Sequence, residues 1–254
     1  MKGEQGPLSI AHLLAPAPYG GLETVVVTLS RAQVALGARV TVVLVVTPDE
    51  NDESGHPVAR ALEGSGAIVE TWVLPVRAYR EERHRVVDLL RRNSIDVLHT
   101  HGYRPDVMDA SVARKEGVAT VSTVHGRVGG TWKGRLYEWV QARALRRFDG
   151  VIAVSEKLQN ELTRDGVARD RVHLLPNAWA PREELLSRSR AREELGLPEG
   201  PSVIGWVGRM GQEKAPDVFC QAAAEASHGT AHFSIIGDGP LRRECESLVD
   251  EAGL

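Results

Sequence analysis

No apolar run in this 254-residue chain approaches the roughly 18 residues that a membrane-spanning helix needs. Met1 to Gly6 lead straight into a short strand-like run, without the apolar segment of a secretory signal. Cysteine is scarce: Cys220 and Cys245 stand far apart with no C-x-x-C, which reads as reduced thiols in a cytoplasmic protein. Charge of one sign is also lacking. A net charge of −3 gives no global reason to expect nucleic acid, so any basic patch must be local. Neither G-x-G-x-x-G nor G-x-x-x-x-G-K-[ST] occurs, which removes the usual support for a nicotinamide dehydrogenase or a P-loop NTPase.

What is present is a near-continuous alternation of apolar, β-branched runs with amphipathic stretches. Strands are expected at Leu8–Leu14, Val40–Val46, Ile68–Val73, Ile95–His99, Thr120–Val124, Val151–Val154 and Val172–Leu175. Helices are expected at Glu23–Leu36, Val58–Gly64, Glu81–Arg92, Pro105–Glu116, Lys133–Arg147 and Glu156–Asp165. Residues 42 to 46 are apolar without alternation, as in a strand covered on both faces. The pattern implies an α/β, doubly wound, Rossmann-like parallel sheet over residues 1–178, with ligands beyond the C-terminal ends of its strands. That rule gathers Tyr19–Gly21, His101–Arg104 and His125–Gly130 around one crevice.

Residues 179–200, with Pro181, Pro198 and an expected helix at Ser189–Leu195, read as an interdomain connection. A second βα series occupies 201–254: strand Val203–Val207, helix Pro216–Ala226, strand His232–Ile236 and helix Leu241–Ala252. Two parallel strands bury too little core to stand alone, so an incomplete second Rossmann-like domain is expected, completed by a missing half or a second chain.

Three segments between strand and helix carry phosphate chemistry. Gly20 and Gly21 precede the helix opened by Glu23. They either lie against a phosphate or sugar at a helix N-terminus or form a turn that needs φ > 0. Arg209 follows the strand Val203–Val207, and Lys214 precedes the helix that Pro216 opens. At an effective dielectric near 20, one such charge about 4 Å from a phosphate oxygen gains about 4 kcal/mol before desolvation. The competing account is a solvated loop in which Glu213 pairs with Arg209. Gly237-Asp238-Gly239-Pro240 ends the second strand, with Pro240 suited to the first helical turn.

His99 and His101 have strand spacing, but no third ligand with suitable spacing is evident, so no metal is expected. His125 ends a strand at the crevice, where an imidazole can contact substrate. Arg127, Lys133, Arg135, Arg143, Arg146 and Arg147 are interleaved with Trp132, Tyr137 and Trp139. That helix either lies on anionic lipid headgroups or packs Leu136, Val140 and Leu145 into the core.

In this order the segments resemble the retaining GT-B glycosyltransferases of the glycogen-synthase-like group, the family four type, over essentially the whole chain. Gly20-Gly21-x-Glu23 resembles that family's glycine loop. Asp96 to Gly102 and Val124-His125-Gly126 resemble its acceptor-side strands. Ala153 to Glu156, Leu175-Pro176-Asn177, Val207-Gly208-Arg209 with Glu213-Lys214, and Gly237 to Pro240 complete the set. Asn177-Ala178-Trp179 stands for the usual Asn-Gly-Val, and Ala215 stands where the family has Gly. The later Glu-x7-Glu segment has no counterpart before Leu254.

The resemblance implies a metal-independent hexosyltransferase of polysaccharide biosynthesis, with no cofactor beyond its UDP- or GDP-sugar substrate. Arg209 and Lys214 would bind the donor diphosphate, with Gly237 and Gly239 on the same rim. Gly20 and Gly21 would admit the phosphate and sugar, and His125 would be the catalytic-site residue touching the sugar. The acceptor would be a glycan or a lipid-linked sugar, reached from the cytoplasm or the inner membrane face. The alternative is a non-catalytic glycan-binding remnant.

Overall fold

The computed structural model describes residues 6–16, 20–50, 55–126, 132–178, 185–226 and 231–253. Tyr19, Arg127 to Thr131, Trp179 and Pro181 lie outside the described residues. The chain divides into two compact units, Met1–Ala180 and Pro181–Leu254.

In chain order the first unit holds β1 (Ser9–Leu14), α1 (Gly21–Ala35), β2 (Arg39–Val46), α2 (Pro57–Leu62), β3 (Ile68–Val73) and α3 (Tyr79–Arg92). It continues with β4 (Val97–His101), α4 (Tyr103–Met108), α5 (Ala110–Lys115), β5 (Ala119–Val124) and α6 (Trp132–Leu145). β6 (Gly150–Ala153), α7 (Glu156–Arg164) and β7 (Val172–Leu174) complete it. The seven strands form one parallel sheet in the order β3-β2-β1-β4-β5-β6-β7. The order reverses between β1 and β4, which makes the edge beyond these two strands the topological switch point.

Burial explains the strand content. Every residue of β2 after Arg39 is buried, as expected for a strand with helices on both faces. One apolar layer joins Leu14, Val26, Val27, Val42, Leu44 and Leu62 under α1 and α2. The opposite face packs Leu13, Val43, Trp72, Val86, Leu89 and Leu98. A third cluster around Phe148, Val151, Leu158 and Leu162 closes the β5–β7 side.

Three expectations are corrected. The single helix expected over Pro105–Glu116 begins earlier, at Tyr103, and breaks at Asp109. Pro105 is tolerated because it lies in the first turn of α4, where backbone N–H groups have no helical partner. Leu136 is not in the core but 50% exposed; α6 buries Gly134, Ala142 and Leu145 instead. The helix expected from Leu241 starts at Arg242, because Leu241 N–H bonds the carbonyl of Met210 at 2.9 Å. Pro240 therefore lies in the preceding turn.

The second unit contains α8 (Arg188–Glu194), β8 (Ser202–Val207), α9 (Pro216–Ala226), β9 (Ala231–Ile236) and α10 (Arg242–Glu251). Buried Arg192 ties α8 to the loop before β8 by donating to the carbonyls of Pro198 and Pro201. β8 and β9 form a two-stranded parallel sheet. An open groove of about 640 Å³ runs along it, lined by Phe219, Phe233, Ile235, Cys245 and Val249. Among the described residues no helix is long and apolar enough to cross a membrane.

Candidate functional site

The switch point of the first sheet is bounded by the amino end of α1, the turn after β4 and the residues after β5. Gly20 is the N-cap of α1, with φ −147° and ψ −160°. Gly21 lies inside the helix, and neither glycine has a positive φ. A turn that only glycine can make therefore does not account for the pair. Packing against the described residues does not require Gly21 either, since a Cβ added there meets none of them within 4 Å. Among the described residues this leaves open space over Gly21 at the amino end of a 15-residue helix, where first-turn N–H groups and the helix dipole favour an anion. Buried Glu23 holds the loop by accepting the Gly20 N–H at 2.9 Å.

Gly102, by contrast, has φ 93°, and a Cβ there would lie 3.9 Å from Leu22 Cδ1. The turn after β4 thus lies beside the first turn of α1. His125 is half-buried one residue beyond β5, and its Nε2 lies 3.2 Å from His101 Nδ1. Burial pulls the His125 pKa down to about 4, so the ring is neutral near pH 7.

Sequence spacing offered no third histidine near His99 and His101. The structure brings one in from β1: ring nitrogens of His12, His99 and His101 all lie within 4.8 Å of one another, all buried. Burial lowers the pKa of each, to about 4 for His12. His12 and its partner Gln33 on α1 are the residues that the sequence reading missed. The available signal was a lone imidazole in an otherwise apolar strand, since a buried polar group needs a partner. The neighbouring turn carries more buried polarity. Asp106 accepts from Thr100, Ser122 and Gln141, and burial pushes its pKa up to about 6. Glu82 pairs with Arg104 at 2.7 Å, and Asp109 lies against Glu82.

The second unit assembles its own edge. Backbone bonds continue past the paired strands, from Gly208 N to Ile236 O at 3.1 Å and from Met210 N to Asp238 O at 2.8 Å. This zipper explains both glycines of the Gly237–Gly239 turn. A Cβ on Gly237 would lie 1.9 Å from Gly208 O, and one on Gly239 would lie 2.6 Å from Met210 O. Arg209 therefore sits beside the Gly237–Gly239 turn. Its guanidinium reaches Glu213 at 3.1 Å, the pairing anticipated by the competing account. Both side chains are largely exposed, and such surface pairs contribute little, so Arg209 can exchange its partner for a stronger anion. Lys214 is exposed in the turn before α9. The next residue, Ala215, is left-handed (φ 46°, ψ 53°), a conformation that favours glycine.

Comparison with known proteins gives this geometry a context. Over 122 residues the chain is 37% identical to the 2-deoxystreptamine glucosyltransferase of Streptomyces kanamyceticus, covering 45% of the chain and 32% of that relative. It is 27% identical over 218 residues to the alpha-D-kanosaminyltransferase of the same organism, covering 78% and 55% respectively. The chain thus spans between a third and just over half of these curated relatives. Among solved structures, Anabaena HepE in complex with UDP and glucose superposes with a TM-score of 0.77 at 17% identity, covering 97% of this chain and 67% of that one. That likeness establishes a shared α/β architecture of the GT-B type. Residues 19–180 match the model of Glycosyltransferase Family 4, well over half of the sequence, and the chain belongs to that family.

Proposed function

We propose that the chain carries the acceptor-side domain and the diphosphate-binding part of a retaining, metal-independent glycosyltransferase. The donor is a UDP- or GDP-sugar, and the acceptor is a glycan or a lipid-linked sugar. The observation that carries this reading is that, among the described residues, space over Gly21 at the amino end of α1 stands open beside the turns that end in Gly102 and His125. Arg209 and Lys214 neutralise the diphosphate and stabilise it as a leaving group. Gly237 and Gly239 keep the adjoining turn close to the Arg209 loop, while His125 contacts the sugar. The HepE complex with UDP and glucose and the glycosyltransferase names of the relatives support a nucleotide-sugar donor.

The test is calorimetry with UDP-glucose and GDP-glucose, with nucleotide release followed alongside. Each charged contact is worth about 1.5–3 kcal/mol, so Arg209→Ala with Lys214→Ala should weaken nucleotide binding by at least about 100-fold. Gly21→Leu should lower affinity or turnover while leaving stability nearly unchanged. Unaltered binding in both variants overturns the assignment. Glycan binding with no nucleotide binding at all would instead identify a glycan-binding remnant.

A location against anionic membrane is a compatible part of the proposal. On α6, Trp132, Leu136 and Trp139 are 72%, 50% and 61% exposed, and Arg135 and Arg143 stand beside them. Aromatic and basic side chains together suit the headgroup region.

A further inference from the structure

The buried histidines form a directional row. β1, β4 and β5 lie side by side, with His12 opposite His99 and His101 opposite Thr123. Gln33 Oε1 lies 2.7 Å from His12 Nε2, and His12 Nδ1 lies 3.0 Å from His101 Nε2. His101 Nδ1 then lies 3.2 Å from His125 Nε2. Each histidine-to-histidine step crosses to the next strand and moves up toward the C-terminal edge. The row starts under α1 and ends at the candidate site.

A neutral imidazole has one N–H and one lone pair. Three rings bonded nitrogen to nitrogen therefore have only two consistent arrangements, all protonated on Nε2 or all on Nδ1. The end of the row chooses between them. A carbonyl oxygen cannot donate, so the Gln33 oxygen requires N–H on His12 Nε2, and the choice passes along the row. We propose that Gln33, acting through His12 and His101, is a positioning residue that locks His125 as the Nε2–H tautomer. Nδ1 of His125 then presents a lone pair to the edge of the sheet. That atom selects a sugar hydroxyl, which can donate, over a group that can only accept. This last step rests on the reading of His125 as the ring that meets the sugar.

Metal binding would use the same lone pairs, and the ring geometry argues against it. His99 and His101 stack at 25° with centroids 4.3 Å apart, whereas His12 and His101 meet edge to edge through their 3.0 Å nitrogen contact. Lone pairs lie in the ring planes, so the stacked rings of His99 and His101 do not aim at a common point. His99 also has its own partner, with Nε2 2.8 Å from Thr123 Oγ1. Burial keeps all four rings neutral near pH 7, which the row requires.

The test is long-range proton–nitrogen correlation spectroscopy on protein carrying ¹⁵N-labelled histidine. Native protein should show His12, His101 and His125 all protonated on Nε2. In Gln33→Met the anchor is gone, and His125 should populate both tautomers. Gln33→Glu retains an oxygen acceptor and should keep Nε2–H in all three rings, and it covers the case in which the methionine variant fails to fold. His125 protonated on Nδ1 in native protein, an unchanged tautomer in Gln33→Met, or a stoichiometric metal in the purified protein would overturn the proposal. Adding UDP-glucose or GDP-glucose should move the Nδ1 resonance of His125 more than that of His12. A fixed tautomer with no such movement would remove the sugar contact while leaving the relay intact, so the two readings fail separately.

Discussion

The stability of the first unit should pass through a maximum near pH 7, because its buried titratable groups act in opposite directions. His12 and His125 are held near 4 by burial, and His99 and His101 are lowered in the same sense. An unfolded histidine takes up its proton near 6.5, so on acidification the unfolded chain binds protons that the folded chain refuses. Each ring held near 4 costs about 3 kcal/mol of stability between pH 6.5 and 4. The carboxyls oppose this. Asp106 is pushed up to about 6 by burial. Asp109 is pushed up to about 8 by burial and then by the adjacent Glu82 carboxylate, against a smaller opposing effect from Arg104. Protonated carboxyls stabilise the fold fully below the unfolded value, and that contribution is lost as pH rises toward the folded one.

Between pH 5 and 6 four imidazoles outweigh two carboxyls, and stability should rise by roughly 3 kcal/mol per pH unit. Above pH 7 the loss at Asp109 outweighs the tail of the unfolded histidine titration, so stability should fall by about 1 kcal/mol between pH 7 and 9. Urea unfolding at pH 5, 7 and 9, with hydrogen exchange on the β1, β4 and β5 amides to isolate this unit, reads both limbs. Asp109→Asn should flatten the alkaline limb and leave the acid limb in place. A profile that is level from pH 5 to 7, or an alkaline fall that survives Asp109→Asn, would refute the account.

The second unit offers two stability tests and α6 a binding one. Ala215 occupies a left-handed conformation, so Ala215→Gly should stabilise the second unit by about 1 kcal/mol, read as a higher unfolding midpoint. Gly237→Ala drives a methyl to 1.9 Å from a backbone oxygen. It should cost the second unit more than about 3 kcal/mol, measured as lost exchange protection in β8 and β9. Trp132→Ala with Trp139→Ala should reduce cosedimentation with anionic vesicles at low salt by several-fold, with unfolding unchanged; equal sedimentation would remove the membrane contact.

The sequence was most legible where one residue's local chemistry decides the outcome. The apolar run of residues 42–46 fitted a strand covered on both faces, and β2 is buried along it as expected. Gly237 and Gly239 ended a strand as expected, although the cause is the backbone zipper to Gly208 and Met210 rather than a ligand alone. Ala215, standing where the family has Gly, drew attention as a substitution, and the left-handed turn supplies its physical reason. Legibility fell where the answer depends on which elements become neighbours. Leu136 obeys helical spacing for a core position, yet α6 turns Gly134, Ala142 and Leu145 inward and leaves Leu136 with the exposed aromatics.

His12 shows the same limit at the site itself. Adjacency in the chain pairs β1 with β2, but the reversal of strand order also places β1 against β4, 87 residues further on by the His12–His99 pairing. Metal-site spacing rules count along the chain and cannot see across that junction. A strand-order argument can: in a doubly wound sheet the first strand borders the fourth. An inward-facing polar residue on β1 should therefore be tested against the inward-facing residues of β4 before it is assigned to the core. Applied to His12, that rule would have joined it to His99 and His101 and exposed the row that ends at His125.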